Sequence, residues 1–387
     1  MRIRLVIISL LISSLTFANE PLVTLPFKLH RGHIYIQGQI NDSRMINILF
    51  DTGAGGNVIS EKVAEEIGLR ISGSQTVSGA NGLVQLKTSR KNSLSLGRKL
   101  EIKKQPFFLL DMAHLTDEDL PLEAIIGANI LSEYVVSLNF DTNLLAIYPQ
   151  AEYKAPENYA KHQIKLDEYG IPLINGSLKT SENNVRSGPF LIDTGAALTV
   201  SFNTPFVIEN SLIKQVKPNY PYESKGLSND GIEYIGRLKS FDFLDESFLR
   251  VPVRMSTVTS GVSSDKSING LIGLTLLKRF NLIFDYSKNA LYTVKNKLFS
   301  QPFWDNRSGL RLSKKSGFLK VMGVVTGSAA DKAGIQVGDS IASVDGQREL
   351  KADAFDRYIF STTKVVFIEL KREGKIITVQ LSPYSMI

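Results

Sequence analysis

The chain has 387 residues, of which 43% are hydrophobic and 21% charged, so it is long enough for two or three ordinary globular domains. It contains no cysteine, which excludes a thiol nucleophile, a disulfide framework and a cysteine-based zinc site. The formal net charge of +7 is spread along the chain without a basic stripe, which argues against nucleic acid as a partner.

The first 18 residues have the three parts of a secretory signal peptide. Arg2 and Arg4 give a basic start, residues 5–15 form an apolar run, and small residues follow at Thr16 and Ala18. The apolar run is too short to span a bilayer comfortably. We therefore predict a cleaved signal peptide and no stable membrane insertion of the mature chain, with an uncleaved anchor as the alternative. Export without cysteine favours a bacterial periplasm or the extracellular space.

From about residue 22 to residue 294 the chain is an internal repeat. One copy reads INILFDTGA at residues 46–54 and AIIGANIL at residues 124–131. The other reads GPFLIDTGA at residues 188–196 and GLIGLTLL at residues 270–277. The segments around these motifs are rich in β-branched residues and bounded by Gly and Asn, which predicts strands and hairpins.

The repeat divides this part of the chain into two mostly β lobes, residues 19–150 and residues 151–297. The hydrophilic stretch at residues 150–161 is the predicted linker between them. Helical periodicity is confined to short pieces such as residues 61–67 and 131–135.

A strand that ends in Asp-Thr-Gly, repeated with its flanks, resembles the aspartic peptidases of the pepsin and retropepsin type. The resemblance covers about two thirds of the chain and implies two pseudo-symmetric acid-protease lobes with Asp51 and Asp193 as catalytic residues. Two carboxyl groups about 3 Å apart cannot both ionise, so they share one proton. One accepts a proton from water while the other donates to the substrate carbonyl, and no metal or other cofactor is required.

The residues that follow each aspartate have supporting roles in this family. By resemblance, Thr52 and Thr194 cross-link the lobes, while Gly53 and Gly195 allow a tight turn beside each carboxyl group. Ala54 and Ala196 stand where pepsin-like enzymes usually have Ser or Thr. A hydroxyl there would favour the charged carboxylate, so its loss predicts a less acidic activity optimum than that of pepsin.

Two glycine-rich segments resemble the mobile flaps that cover the cleft of such enzymes, although plain surface loops are the alternative. The flap candidates are Gly79, Ala80, Asn81 and Gly82 in the first lobe and Gly226 and Leu227 in the second. His30 and His33 lie close together in sequence without further ligands nearby, so we predict surface histidines and no metal site.

After a polar boundary at residues 295–304, the motifs SAADKAGI, VGDSI and VDG between residues 328 and 346 resemble the PDZ domains of bacterial envelope proteases. We predict a small α+β PDZ domain at residues 304–387. Such domains bind an extended peptide along a sheet edge and hold its terminal carboxylate. By resemblance, this site contains Gly309, Leu310, Arg311 and Leu312, with Arg311 where the family more often has Gly.

These features predict an exported single-chain aspartic endopeptidase that acts on polypeptide substrates and binds peptide C-termini at its PDZ domain. Two alternatives stay open from the sequence. Each half could pair with its equivalent in a second chain to form a homodimeric retropepsin-like enzyme. The protein could also be a catalytically silent periplasmic scaffold that binds peptides.

Overall fold

The structure, a computed structural model, describes residues 20–79, 82–113, 115, 118–181, 184–225, 230–304, 306–315, 318–348 and 352–387. The predicted signal peptide at residues 1–18 lies outside this set. Within the described part of the chain, every helix falls short of the length and apolar character that a bilayer span requires.

The first lobe, hereafter lobe one, is a set of β-hairpins with two short helices. Its elements are β1 (Val23–Pro26), β2 (Lys28–His30), β3 (His33–Ile40), β4 (Ile46–Phe50), β5 (Val58–Ser60), α1 (Glu61–Glu66), β6 (Gly73–Gly79), β7 (Gly82–Leu96), β8 (Leu100–Leu110), β9 (Ala124–Ile126), α2 (Ala128–Glu133), β10 (Tyr134–Asn139) and β11 (Leu144–Pro149).

The second lobe, lobe two, repeats this plan and adds two 3-10 turns at Val262–Ser264 and Tyr286–Lys288. Its elements are β12 (Ala160–Gln163), β13 (Lys165–Leu166), β14 (Pro172–Ser181), β15 (Asn184–Asp193), β16 (Val200–Phe202), α3 (Thr204–Glu209), α4 (Leu212–Gln215), β17 (Asn219–Lys225), β18 (Asp230–Arg237), β19 (Ser240–Phe243), β20 (Glu246–Leu249), β21 (Pro252–Ser256), β22 (Gly270–Gly273), α5 (Leu274–Leu277), β23 (Phe280–Asp285) and β24 (Ala290–Lys295).

The sequence repeat appears as one shared strand order. Lobe one contains the path β4-β9-β5-β8-β7-β6, and lobe two contains the path β15-β22-β16-β21-β18-β17. In each lobe, the strand that leads to Asp-Thr-Gly pairs in parallel with the later strand that ends before or at a glycine, β4 with β9 and β15 with β22. The same later strand also pairs antiparallel with the strand that follows the Asp-Thr-Gly turn, β9 with β5 and β22 with β16. This pairing places each Asp-Thr-Gly turn next to the glycine at the end of the later strand of its own lobe.

The lobes are joined by a six-stranded sheet with the order β1-β11-β10-β23-β24-β12. Its central pair, β10 with β23, takes one strand from each lobe. One hydrophobic core runs through both lobes, because apolar residues of each belong to a single contiguous cluster. The lobes therefore pack as one unit.

Two local predictions differ from the structure. The helix expected at residues 131–135 is α2, which begins at Ala128 and ends at Glu133. Val135 and Val136 are instead fully buried in β10, where pairing across the lobes overrides a local helical pattern. The linker expected at residues 150–161 ends earlier than predicted, at residue 159, because Ala160 and Lys161 belong to β12 and pair with β24.

The C-terminal domain is a five-stranded antiparallel sheet with the order β25-β26-β27-β28-β29 and has a core of its own. Its elements are β25 (Leu310–Lys315), β26 (Phe318–Val324), α6 (Ala329–Lys332), β27 (Ser340–Val344), α7 (Ala352–Ser361), β28 (Val366–Arg372) and β29 (Lys375–Leu381). In the connection from β24, Arg279 donates hydrogen bonds to the carbonyl groups of Leu298 and Phe299.

Candidate active site

Two threonines tie the aspartate turns of the two lobes together. The Thr52 N–H donates to Thr194 Oγ1 at 2.9 Å, and the Thr194 N–H donates to Thr52 Oγ1 at 3.0 Å. Each hydroxyl in turn donates to a carbonyl of the opposite lobe, Thr52 to Ile192 at 2.7 Å and Thr194 to Phe50 at 3.2 Å. Both side chains are fully buried, so these four bonds replace water that the groups cannot reach.

The two aspartates lie across the lobe boundary, each over the glycine of the opposite triplet. A Cβ added to Gly53 would be 2.6 Å from the Asp193 carboxyl carbon, and one added to Gly195 would overlap the Asp51 carboxyl group. Only glycine fits at either position. Each carboxyl group also accepts from a glycine N–H two residues further along, Asp51 from Gly53 and Asp193 from Gly195, both at 2.8 Å. The two carboxyl groups lie close enough for the charge of Asp51 to affect the pKa of Asp193.

The pKa values of both aspartates are raised above the ordinary value. Burial is the main cause for Asp193, followed by the negative charge of Asp51 and the hydrogen bond to it. Burial also raises the pKa of Asp51. Backbone N–H donors, including those of Gly53 and Gly195, favour its charged form and partly oppose this rise. A carboxyl pair of this kind retains one proton well above the pH at which an isolated aspartic acid ionises.

We expect Asp193→Asn to raise the thermal stability of the protein at pH 7. An aspartate whose folded pKa is raised binds its proton more tightly in the folded state, so stability falls as pH rises from the unfolded pKa, about 3.9, towards the folded one. An asparagine does not ionise and escapes that loss. The melting temperature of the variant should exceed that of the wild type at pH 7, and the difference should shrink at pH 3.5. A variant that is less stable at both pH values would contradict this.

The downstream glycines brace the aspartate turns from behind. The Ala128 N–H donates to the Ala54 carbonyl at 2.9 Å, and the Leu274 N–H donates to the Ala196 carbonyl at 2.8 Å. A Cβ on Gly127 would overlap the carbonyl oxygens of Asp51 and Ala54. The close approach explains why glycine follows the apolar strand in this copy of the repeat.

A hairpin tip from each lobe packs against the other lobe near its aspartate turn. A Cβ added to Gly32, in the tip between β2 and β3, would lie 2.8 Å from the Ala197 Cβ. In lobe two, the tip before β14 carries Tyr169, whose Cβ would lie 2.8 Å from a Cβ added to Gly55. The tips therefore support the turns reciprocally.

The prediction that His30 and His33 are surface residues is wrong for His30, which is buried, whereas His33 is half-buried. His30 is only 5% exposed. Burial lowers the pKa of the His33 imidazole to about 4, and the nearby backbone of Gly195 partly opposes this shift. The packing of the β2–β3 hairpin on the opposite lobe, through Gly32 and Ala197, shields His33, whereas the ring of His30 packs edge-on against Tyr35 of its own lobe. Among the described residues, no group of three or more His, Asp or Glu side chains is placed to hold a metal ion.

The two flap candidates fall on hairpins of equivalent position. The β6–β7 hairpin ends with Gly79 paired to Gly82, and the β17–β18 hairpin ends with Lys225 paired to Asp230. Four of the candidates, Ala80, Asn81, Gly226 and Leu227, lie outside the described residues. A role in covering the cleft stays a prediction.

The four candidate peptide-binding residues of the C-terminal domain lie at the start of β25. The Gly309 N–H donates to Asn306 Oδ1 at 2.9 Å, and the Leu310 N–H donates to Ser308 Oγ at 3.0 Å. Leu310 and Leu312 are buried in the core of the domain. The Arg311 guanidinium donates to the Met322 carbonyl on β26 at 2.9 Å, so it lies along the sheet.

Comparison with known proteins identifies two segments. Residues 36–130 match a family model described as aspartyl protease, and residues 320–372 match one described as PDZ domain. Residues 36–130 are therefore similar to aspartyl proteases, and residues 320–372 are similar to PDZ domains. This confirms the predicted family resemblance and the mostly β fold class. The aspartyl protease match includes Asp51 but ends before Asp193.

Among solved structures, the aspartic proteinase from Irpex lacteus is similar to this chain with a TM-score of 0.45 and 14% sequence identity. The similarity covers 72% of this chain and 98% of that chain. No curated protein matches the sequence.

Proposed function

We propose that the protein is an exported aspartic endopeptidase with one active site per chain, formed by Asp51 and Asp193. The observation that carries the proposal is the crossed arrangement of the two carboxyl groups, each lying over the glycine of the opposite Asp-Thr-Gly triplet. Both side chains also retain some exposure to solvent, so water and substrate can reach them.

In the proposed reaction, the ionised carboxyl group of the pair accepts a proton from a water molecule as its oxygen attacks the scissile carbonyl carbon. The protonated carboxyl group donates to the carbonyl oxygen, which gives a neutral tetrahedral diol. The pair then gives a proton to the amide nitrogen and accepts one from a hydroxyl of the diol as the C–N bond breaks, so that a carboxylic acid and an amine leave and the pair again holds one proton. Which aspartate acts first as base is a property of the pair.

The homodimer alternative is disfavoured by the threonine bonds. Thr52 and Thr194 of one chain already satisfy each other, which leaves neither hydroxyl in need of a second copy. Sedimentation of the active protein separates these possibilities, because we expect cleavage activity in the monomer fraction. Activity confined to a dimer fraction would favour pairing between chains.

Cleavage of an unfolded protein by the purified chain, with inhibition by pepstatin, tests the proposed activity. Because the pKa values of both aspartates are raised and neither Ala54 nor Ala196 supplies a hydroxyl, we expect a bell-shaped pH–rate profile whose basic limb lies at a higher pH than that of pepsin. A profile that peaks near pH 2 would contradict the expected effect of the two alanines. No cleavage at any pH would favour the silent scaffold.

For the PDZ domain we propose binding of peptide C-termini along β25, which would recruit unstructured chains to the enzyme. The proposal is supported by the position of β25 at the edge of its sheet, where an extended peptide can add as a further strand.

A further inference from the structure

The PDZ domain contacts lobe one through the strand that is proposed to bind peptides. The guanidinium of Arg31, at the tip of the β2–β3 hairpin, donates a hydrogen bond to the Leu312 carbonyl on β25. Two residues along the same strand, Lys314 Nζ lies 2.6 Å from Asp119 Oδ1 of lobe one. Both contacts involve side chains that are partly shielded from water.

The Leu312 carbonyl faces the outer edge of the sheet. The Gly309 carbonyl accepts from the Val325 N–H at 2.9 Å, so residue 309 faces the neighbouring β26. Because alternate residues of a strand direct their backbone groups to opposite sides, Leu310 directs its groups outward. The pairing of β25 with β26 shifts register between Arg311 and Leu312, and beyond this shift the outward direction of the Leu312 carbonyl is inferred from its bond to Arg31 of lobe one. A peptide added to this edge would need those outward groups as hydrogen-bond partners.

Polar groups of the chain itself already form hydrogen bonds with these outward backbone groups of Leu310 and Leu312. The Leu310 N–H donates to Ser308 Oγ, and the Leu310 carbonyl accepts from Asn306 Nδ2 at 2.9 Å. Those two partners are local and move with the PDZ domain. Arg31 differs because it belongs to the catalytic lobe, so its bond to Leu312 exists only while the two domains are docked.

The hairpin that carries Arg31 also supports the aspartate turn of lobe two. Arg31 and Gly32 have φ values of 49° and 83°, which form a tight two-residue turn. Gly32 packs on Ala197, and the His33 side chain lies near the backbone of Gly195. One short hairpin therefore contacts both the proposed peptide-binding strand and the proposed catalytic site.

We propose that Arg31 is an intramolecular competitor that closes the PDZ edge strand, so that peptide binding on β25 and docking of the PDZ domain on lobe one exclude each other. The proposal rests on the proposed peptide-binding function of the PDZ domain. A peptide can bind only the undocked fraction of molecules, which reduces its apparent affinity by that fraction. By thermodynamic linkage, a bound peptide releases the β2–β3 hairpin to the same extent.

The first test compares peptide binding by full-length chains that carry Asp193→Asn to prevent cleavage. An array of decapeptides with free C-terminal carboxylates is probed with the chain that retains Arg31 and with the Arg31→Ala chain, and bound peptides are then titrated by fluorescence anisotropy. We expect Arg31→Ala to bind about tenfold more tightly, since a hydrogen bond from a charged group no longer competes. Arg98→Ala removes an arginine from an exposed hairpin turn of the same lobe and should leave the affinity unchanged. Equal affinity of the Arg31 and Arg31→Ala chains overturns the competition.

The second test locks the docked state and uses the absence of native cysteine. Asp119→Cys with Lys314→Cys, joined by a short reducible bismaleimide, should abolish peptide binding, and reduction of the linker should restore it. The matched control joins Glu61→Cys and Lys87→Cys, an ion pair of similar kind within lobe one, and should bind peptide throughout. A locked chain that binds as strongly as the reduced chain refutes the proposal.

These measurements separate failure of the inference from failure of the function on which it rests. If no form of the chain binds any peptide, the proposed role of the PDZ domain fails, and the competition fails with it. If all forms bind equally, the PDZ function stands and only the role of Arg31 is lost. Cleavage of unfolded protein by the chain with an intact aspartate pair reports independently on the peptidase.

Discussion

Asp51→Asn and Asp193→Asn are each expected to lower the rate of peptide-bond cleavage by about 10³-fold or more. The pair acts as a unit, since one carboxyl group must be charged while the other holds the shared proton, and an amide can neither accept nor donate that proton. For the same reason the double variant should be about as inactive as either single variant. Initial rates on an unfolded protein substrate, measured across the pH range, check this expectation.

Asp141→Asn is the matched control for these substitutions. Asp141 stands in a Phe-Asp-Thr sequence like a catalytic triplet, but it lies in the turn between β10 and β11. Its carboxylate accepts from Asn281 and from the backbone of Lys297, which lowers the pKa of that carboxyl group. The folded variant should retain cleavage activity. Loss of activity in Asp141→Asn equal to that in Asp51→Asn, with folding intact by circular dichroism, would remove the special status of the Asp51–Asp193 pair.

Thr52→Val is expected to lower the free energy of unfolding by about 2–5 kcal/mol. The Thr52 hydroxyl both accepts from the Thr194 N–H and donates to the Ile192 carbonyl, so its removal leaves two buried backbone groups without partners. Thr194→Val should act similarly through the Thr52 N–H and the Phe50 carbonyl. Urea unfolding at fixed pH measures the change.

Thr52→Ser distinguishes the contribution of the hydroxyl group to stability from that of the methyl group of the same side chain. The serine variant keeps the donor and the acceptor and should lose much less stability than the valine variant. The double variant Thr52→Val with Thr194→Val should show a loss that differs from the sum of the single losses, because the four bonds form one network. A serine variant as unstable as the valine variant would show that packing, not hydrogen bonding, joins the lobes here.

The sequence predicted the parts of the site that depend on short segments. The repeated apolar strand before each Asp-Thr-Gly marked Asp51 and Asp193, and the apolar-apolar-Gly segment marked Gly127 and Gly273. Both signals are local, because a strand, a tight turn and a close backbone approach each depend on a few adjacent residues.

What the sequence did not predict depends on contacts between distant segments. The shielding of His33 arises because its hairpin packs on a turn more than 160 residues away in sequence. The fully buried Val135 and Val136 lie in β10 because of its pairing with β23 of the other lobe. Arg31 carries no motif, and only the docking of two domains shows its contact with Leu312.

The reciprocal hairpin tips show what joining the two halves in one polypeptide makes possible. In a symmetric dimer, both copies of the tip must have the same sequence, so any change beside one aspartate is repeated beside the other. Here the tip of lobe one carries Arg31 and Gly32, whereas that of lobe two carries Tyr169 and Gly170. Covalent fusion thus lets the two tips differ: the tip of lobe one contacts an appended domain as well as lobe two, and the tip of lobe two packs against Gly55 of lobe one.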